Sequence, residues 1–200
     1  MSLDLIIIIV LLAVSLYLLE LATVYFHLPK PLSRKIAHTG NSFLIIGLSL
    51  IFDWRLFVYV GLIFFCALLV LRFIHPLKSL SDRANESIGE IMFPLGIMLT
   101  ALICQSQLDF IVAVLILGIS DTVAFYIGST FKSKVLLFQK TILGSTSFFV
   151  SAFVILLLAS SPIVGLCIAS CLTLVEFASP KGLDNLTVPV VAVLLLGIAT

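Results

Sequence analysis

Apolar residues in this 200-residue chain come in long, nearly uninterrupted blocks, with the polar residues gathered between them. The blocks fall at about 3–26, 36–52, 54–74, 87–104, 108–129, 141–159, 162–178 and 186–200. A helix needs roughly 20 residues to cross a hydrocarbon core of ~30 Å, and each block approaches that length, the second and last being short. The pattern predicts an all-α fold, a polytopic transmembrane helical bundle of about 7–8 spans; the lower count applies if the last segment only dips into the membrane. A signal peptide is not expected at the start. Asp4 stands where a basic residue belongs, the apolar run is too long, and no small-residue cleavage site follows.

Composition sharpens this picture by exclusion. The chain is 62% hydrophobic and 10% charged, with a mean hydropathy of +1.31, whereas soluble domains average about 45–50% and about 25%. The formal net charge of +1 says little, but its distribution says more. Ten of the eleven lysines and arginines lie in the connections after spans 1, 3, 5 and 7: Lys30, Arg34, Lys35, Arg72, Lys78, Arg83, Lys132, Lys134, Lys140 and Lys181. Only Arg55 lies on the opposite side. Positive charge stays on the cytoplasmic face, so these connections are expected there, with the N-terminus outside and the chain an integral, multi-pass membrane protein. The sequons at Asn85 and Asn185 would then face the cytoplasm and stay unglycosylated. No basic face remains for nucleic acid once the spans are removed. Cys66, Cys104, Cys167 and Cys171 sit in apolar stretches, and the 167/171 pair reads as small packing residues rather than metal ligands.

The chemistry is expected on the cytoplasmic side. Arg34, His38 and Asn41 share one stripe at the start of span 2, and Asp82, Glu86 and Glu90 share another entering span 4. Asp121 lies about eight residues before the end of span 5, ~12 Å deep at 1.5 Å per residue. A carboxylate there is costly unless paired, hydrated or bound to a cation, so it reads as functional ahead of a purely structural ion pair. Ser120, Ala124 and Gly128 follow at four-residue spacing, a pattern that lets another helix approach closely. Lys140 abuts Thr141-Ile142-Leu143-Gly144-Ser145 at the start of span 6, where free backbone N–H groups suit a phosphate. Lys132 and Lys134 suit that phosphate too, or serve only to set topology or meet anionic lipid. The run from Gly128 to Lys134 is no P-loop, since no Gly precedes the lysine and no strand precedes the loop. Glu176 closes span 7, and Asp184 and Asn185 open span 8 beyond a Pro180-Lys181-Gly182 turn. Carboxylates beside lysines and arginine suit a magnesium-nucleotide, and a lipid can reach the same place from the bilayer.

The order Arg34-Lys35-x-x-His38, Phe93-Pro94-Leu95-Gly96-Ile97, Asp121-x-x-Ala124-x-x-x-Gly128, Lys140-Thr-x-x-Gly144-Ser145 and Glu176-x-x-Ser179-Pro180-x-Gly182-Leu183-Asp184-Asn185-Leu186-Thr187-x-Pro189 resembles the dolichol kinase and phytol kinase family. Its members are CTP-dependent kinases of polyprenols, phytol and diacylglycerol, related to phosphatidate cytidylyltransferases. The resemblance covers 34–200, leaving span 1 peripheral to a single catalytic domain of 1–200. It implies Arg34 and Lys35 on the nucleotide phosphates and Asp121 as the essential acid. It further implies close approach at Gly128, and a nucleotide site including Lys140, Gly144, Asp184 and Asn185. Two departures stand out: Asp121-Thr122 replaces the usual Asp-Pro, and Phe131-Lys132 replaces Gly-Lys.

The expected function is transfer of the γ-phosphoryl of CTP to a membrane lipid alcohol. Asp121 or His38 would be the base, with Mg²⁺ on Asp121 and Glu90 or Glu176. Thr141 and Ser145 would join Lys132 and Lys140 around the phosphates. A phosphatidate cytidylyltransferase is the alternative, although the His-Gly-Gly and Asp-Arg signature of that enzyme is absent. A small transporter using Asp121 and Glu90 as an ion site is the other, set back by the absence of repeated halves.

Overall fold

A computed structural model describes residues 2–74 and 87–199; the expectations for Lys78, Asp82, Arg83, Asn85 and Glu86 lie outside them. The described chain is all-helical: α1 (Leu3–Tyr25), α2 (Lys30–Ile51), α3 (Phe57–Ile74), α4 (Gly89–Ile103), α5 (Gln107–Leu115), α6 (Asp121–Thr130), α7 (Ile142–Leu156), α8 (Pro162–Ala178) and α9 (Asp184–Ala199). A π turn, Ile116–Ser120, joins α5 to α6 in one rod, Gln107–Thr130. Among the described residues three helices are long and apolar enough to cross a membrane, namely Leu3–Tyr25, Trp54–Arg72 and Gln107–Thr130; α4, α7, α8 and α9 are shorter apolar helices.

Local chemistry explains where the helices begin. Ser2 and Ser106 cap α1 and α5 by accepting from the amides of Leu5 and Asp109. Pro31 and Pro162 occupy first-turn positions, where a missing N–H costs nothing. The proline lets α2 start at Lys30, six residues ahead of its apolar block, and so carries Arg34, Lys35 and His38 onto a helix.

The central rod is the core of the bundle. Phe110, Val112, Ala113, Val114, Ile116 and Leu117 are fully buried. In the most apolar stretch of the rod 56% of residues are buried, against 17% for α1. Small residues bring the other helices close. A Cβ on Gly96 would lie 2.2 Å from the carbonyl oxygen of Asn185. Pro189, four residues further along α9, has no N–H to give that carbonyl, so α4 takes the space beside it.

Consecutive helices run back and forth, which sorts the connections between two ends. Segments 52–56, 104–106 and 157–161 lie at one end. There Phe110 stacks with Trp54 and Phe57 at 6.1 and 5.5 Å between ring centroids. Segments 26–29, 131–141 and 179–183 lie at the other, where the amide of Ile88 donates to the carbonyl of Lys181 at 2.9 Å. Gly182 needs its left-handed φ of +89° here, and its Cα faces Gly89 across the gap.

Candidate active site

The π turn sets up the first half of the site. Its wider spacing leaves two carbonyls of the rod available to α2: Leu117 O accepts from His38 Nε2 at 2.9 Å, and Gly118 O from Thr39 Oγ1 at 3.3 Å. Thr39 also pairs with Thr122 at 2.6 Å. These contacts fix α2 against the rod, and one turn earlier on α2 Lys35 Nζ donates to the Asp121 carboxylate. Asp121 is 7% exposed, so this cation is its main compensation for leaving water. Lys35 also lies 5.3 Å from the centre of the Phe125 ring. His38 Nε2 stands 3.6 Å from Asp121 Oδ2, and the ring packs edge-on to Phe93. His38 gives its Nε2 hydrogen to the Leu117 carbonyl rather than to Asp121.

The second half is built from distant segments. Lys140 Nζ donates to Glu176 at the end of α8 and, at 2.8 Å, to Asp184 at the start of α9. Glu176 is 2% exposed, and its other oxygen has no hydrogen-bond partner among the described residues. Burial pulls the Lys140 pKa down, but the Asp184, Glu176 and Asp121 carboxylates together outweigh it and raise it above the ordinary lysine value. The two halves are neighbours, since Gly128 of α6 packs on Thr141, next in the chain to Lys140, and the Asp121 carboxylate adds to the field at Lys140. Asn185 Nδ2 donates to Gly89 O at 2.8 Å, tying α9 to the start of α4.

One expectation needs correction. The start of α7 is not a row of free amides. Ile142 N–H goes to Lys134 O (3.1 Å), Leu143 N–H to Ser133 Oγ (3.3 Å), Gly144 N–H to Thr141 Oγ1 (3.1 Å) and Ser145 N–H to Thr141 O (2.9 Å). The loop that carries the lysines folds back and satisfies them, and Thr141 is a helix cap. Of the carboxylates expected on Mg²⁺, Asp121 is paired with Lys35 and Glu176 with Lys140. Among the described residues no group of three His, Cys, Asp or Glu side chains is placed to hold a metal. Glu90 is instead held by Arg72, with Nη1 to Oε1 at 2.9 Å.

The remaining expected residues divide cleanly. Gly128 is a packing residue: a Cβ there would meet Thr141 Oγ1 at 2.7 Å, and one on Gly144 would meet Ala124 O at 3.1 Å. Ser145 Oγ is buried and has no partner among the described residues. Lys132 and Lys134 are exposed, and neither joins an ion pair among the described residues. Arg34 and Asn41 line a cleft together with His38, Glu90 and Asn185, and Arg34 pairs with no carboxylate among the described residues. The pairing of Arg72 with Glu90 and that of Thr39 with Thr122 were not foreseen. An arginine at the end of α3 and a run of hydroxyls in α2 were the available signals.

Magnesium usually keeps one or two carboxylates and takes its other oxygens from phosphates and water. Glu176 and Asp184, both reaching Lys140 and with one Glu176 oxygen unpartnered, fit such a magnesium-nucleotide. No protein-family model, curated protein or solved structure matches the chain. The chemistry is accordingly read from the side chains themselves.

Proposed function

We propose that the chain is a CTP-dependent kinase of lipid alcohols, of the dolichol kinase and phytol kinase kind. In this reading it is a multi-pass membrane protein of 7–8 spans, with the charged end in the cytoplasm and the N-terminus outside. The observation that carries the proposal is the coupling of two buried lysine–carboxylate sites, Lys35–Asp121 and Lys140–Glu176–Asp184, at one end of an otherwise apolar bundle. A packed bundle has no structural need for buried charges at that density, since apolar replacements are often as stable. Phosphoryl transfer does need them, because it is governed by positioning and by neutralising charge on the phosphates.

In the proposed reaction the lipid hydroxyl oxygen forms a bond to the γ-phosphorus of CTP. The bond from that phosphorus to the β–γ bridging oxygen breaks, CDP leaves with the bonding electrons, and the hydroxyl proton passes to Asp121. Lys35 and Arg34 on one side and Lys140 on the other offset the negative charge of the phosphates. Bound Mg²⁺, held by Glu176 and Asp184, would supply further neutralisation of the phosphate oxygens. His38, with its Nε2 hydrogen given to the Leu117 carbonyl, leaves the role of base to Asp121.

The test is a labelling assay on the purified chain in detergent, with Mg²⁺, γ-labelled CTP or ATP, and a panel of polyprenol, phytol and diacylglycerol. Label in a lipid from CTP is the expected result, whereas label from ATP alone would change the donor. Pyrophosphate released in the presence of phosphatidic acid would replace the kinase by a cytidylyltransferase, and the absence of any turnover would overturn the enzyme altogether.

A further inference from the structure

The cleft that Arg34 and His38 line continues away from the charged end between α1, α2, α3 and α4. Beyond Asn41 its walls are apolar, contributed by Leu12 and Leu16 of α1, Ile45 of α2, Val60 and Phe64 of α3, and Ile97 of α4. Its polar groups are confined to one end, namely Arg34, His38, Asn41, Glu90 and Asn185. A site built to hold a polar solute would distribute hydrogen-bonding groups along its length, whereas this one presents them only where a chain would terminate.

The way α1 is attached fits the same occupant. Leu5, Ile8 and Leu12 are buried at its beginning and Thr23 near its end, and none of the residues between Leu12 and Thr23 is buried. Polar contacts hold it at Thr23–Ser33 (2.8 Å) and at Ser15–Asn41 (2.6 Å), the latter on the lip of the cleft. Leu16 and Leu19 pack against Ala37 and Leu68, and Leu12 and Leu16 form the outer wall of the cleft. An apolar helix as its outer wall sets the cleft at the depth of the hydrocarbon, a place for an alkyl chain and not for a nucleotide.

We infer that this cleft holds the hydrocarbon chain of the lipid alcohol, with the hydroxyl seated at the Arg34–His38–Asn41 end. The inference rests on the kinase reading for the identity of the headgroup. His38 is the shared wall: it lines the cleft, and its Nε2 lies 3.6 Å from Asp121. A hydroxyl arriving there is presented to the carboxylate that removes its proton, while the nucleotide occupies the Lys140 side. The two substrates reach the site from different phases and need not pass one another.

The test is photo-crosslinking of the full chain in phosphatidylcholine vesicles, with no nucleotide present. The probe is a long-chain isoprenoid alcohol carrying a terminal diazirine. The expected result is label concentrated on peptides containing Leu12, Leu16, Val60 and Phe64, displaced by unlabelled alcohol and not by the parent alkane. Label spread over exposed apolar positions such as Leu18, Leu102 or Ile163, or label that unlabelled alcohol does not displace, overturns the inference. Because nucleotide is absent, this outcome is independent of whether phosphate is ever transferred. A Val60→Trp variant adds a kinetic reading: KM for the lipid should rise about tenfold with KM for CTP within about twofold. Equal changes in both would overturn the assignment.

Discussion

The two ends of the bundle meet the same problem, polar groups beside an apolar core, in different ways. At the aromatic end polar side chains are answered mostly within a few residues. Asp53 caps the turn at Arg55, and Ser106 and Asp109 satisfy one another. The Arg55–Asp53 pair is largely in solvent. At the charged end the ion pairs and the Asn185 amide reach across the chain: Lys35 to Asp121, Lys140 to Glu176 and Asp184, Asn185 to Gly89. Local pairing makes caps and closes loops. Long-range pairing of buried charges makes a place where an incoming charged molecule can exchange with the partners already present.

The sharpest way to break this comparison is Asp121→Asn against Asp109→Asn. Both are buried aspartates of the same rod. Asp121→Asn should lower lipid phosphorylation by about 10²–10⁴-fold, the usual worth of a positioned base. Asp109→Asn should leave the turnover number within about twofold and cost about 1 kcal/mol through its weakened cap. Equal losses would mean that the two carboxylates do the same structural job.

Next in size is the removal of one cation at each end. Lys140→Met strands Glu176 and Asp184 together and should destabilise the chain by about 3–5 kcal/mol. Adding Glu176→Gln should recover part of that. Arg55→Ala removes an exposed partner and should cost less than about 1 kcal/mol. Thermal unfolding in detergent reads all three. The Lys140 contribution also has a defined pH course. Its folded pKa lies above 10.5, so the stabilisation is complete below that value and is lost only as pH rises through the higher folded one. Unfolding followed from pH 6 to 9 should therefore show no loss traceable to Lys140.

A smaller effect is expected at the α6–α7 contact. Gly128→Ala places a methyl group against Thr141 Oγ1 and should cost about 1–3 kcal/mol, read in the same unfolding assay. Smallest of all is Lys132→Ala, on the exposed loop, for which less than about 0.5 kcal/mol is expected with unchanged labelling of lipid.

The helices themselves were largely legible, because an apolar block of membrane length has few other uses. Their ends were less so: α2 begins within the charged segment because proline and lysine suit a first turn. The Arg34–His38–Asn41 stripe follows from helical period alone, and the structure keeps it together on one wall of the cleft. Partners were a different matter. Period fixes the face of a helix but not what lies opposite, so nothing in the sequence tells Glu90 to take Arg72 rather than join Asp121. The capped start of α7 was hidden for a related reason, since its amides are filled by Ser133 and Lys134 from a loop with no periodicity to read.

The π turn before Asp121 does more than release two carbonyls. It holds one residue more than the helical turn it replaces, so every position after it is rotated by about 100° from where an unbroken helix would put it. Asp121 meets Lys35, and Ala124 and Gly128 meet α7, only in that shifted phase. The turn acts as a phase setting: the first half of the rod is registered to the core and the second half to the chemistry, and one inserted residue lets a single helix serve both.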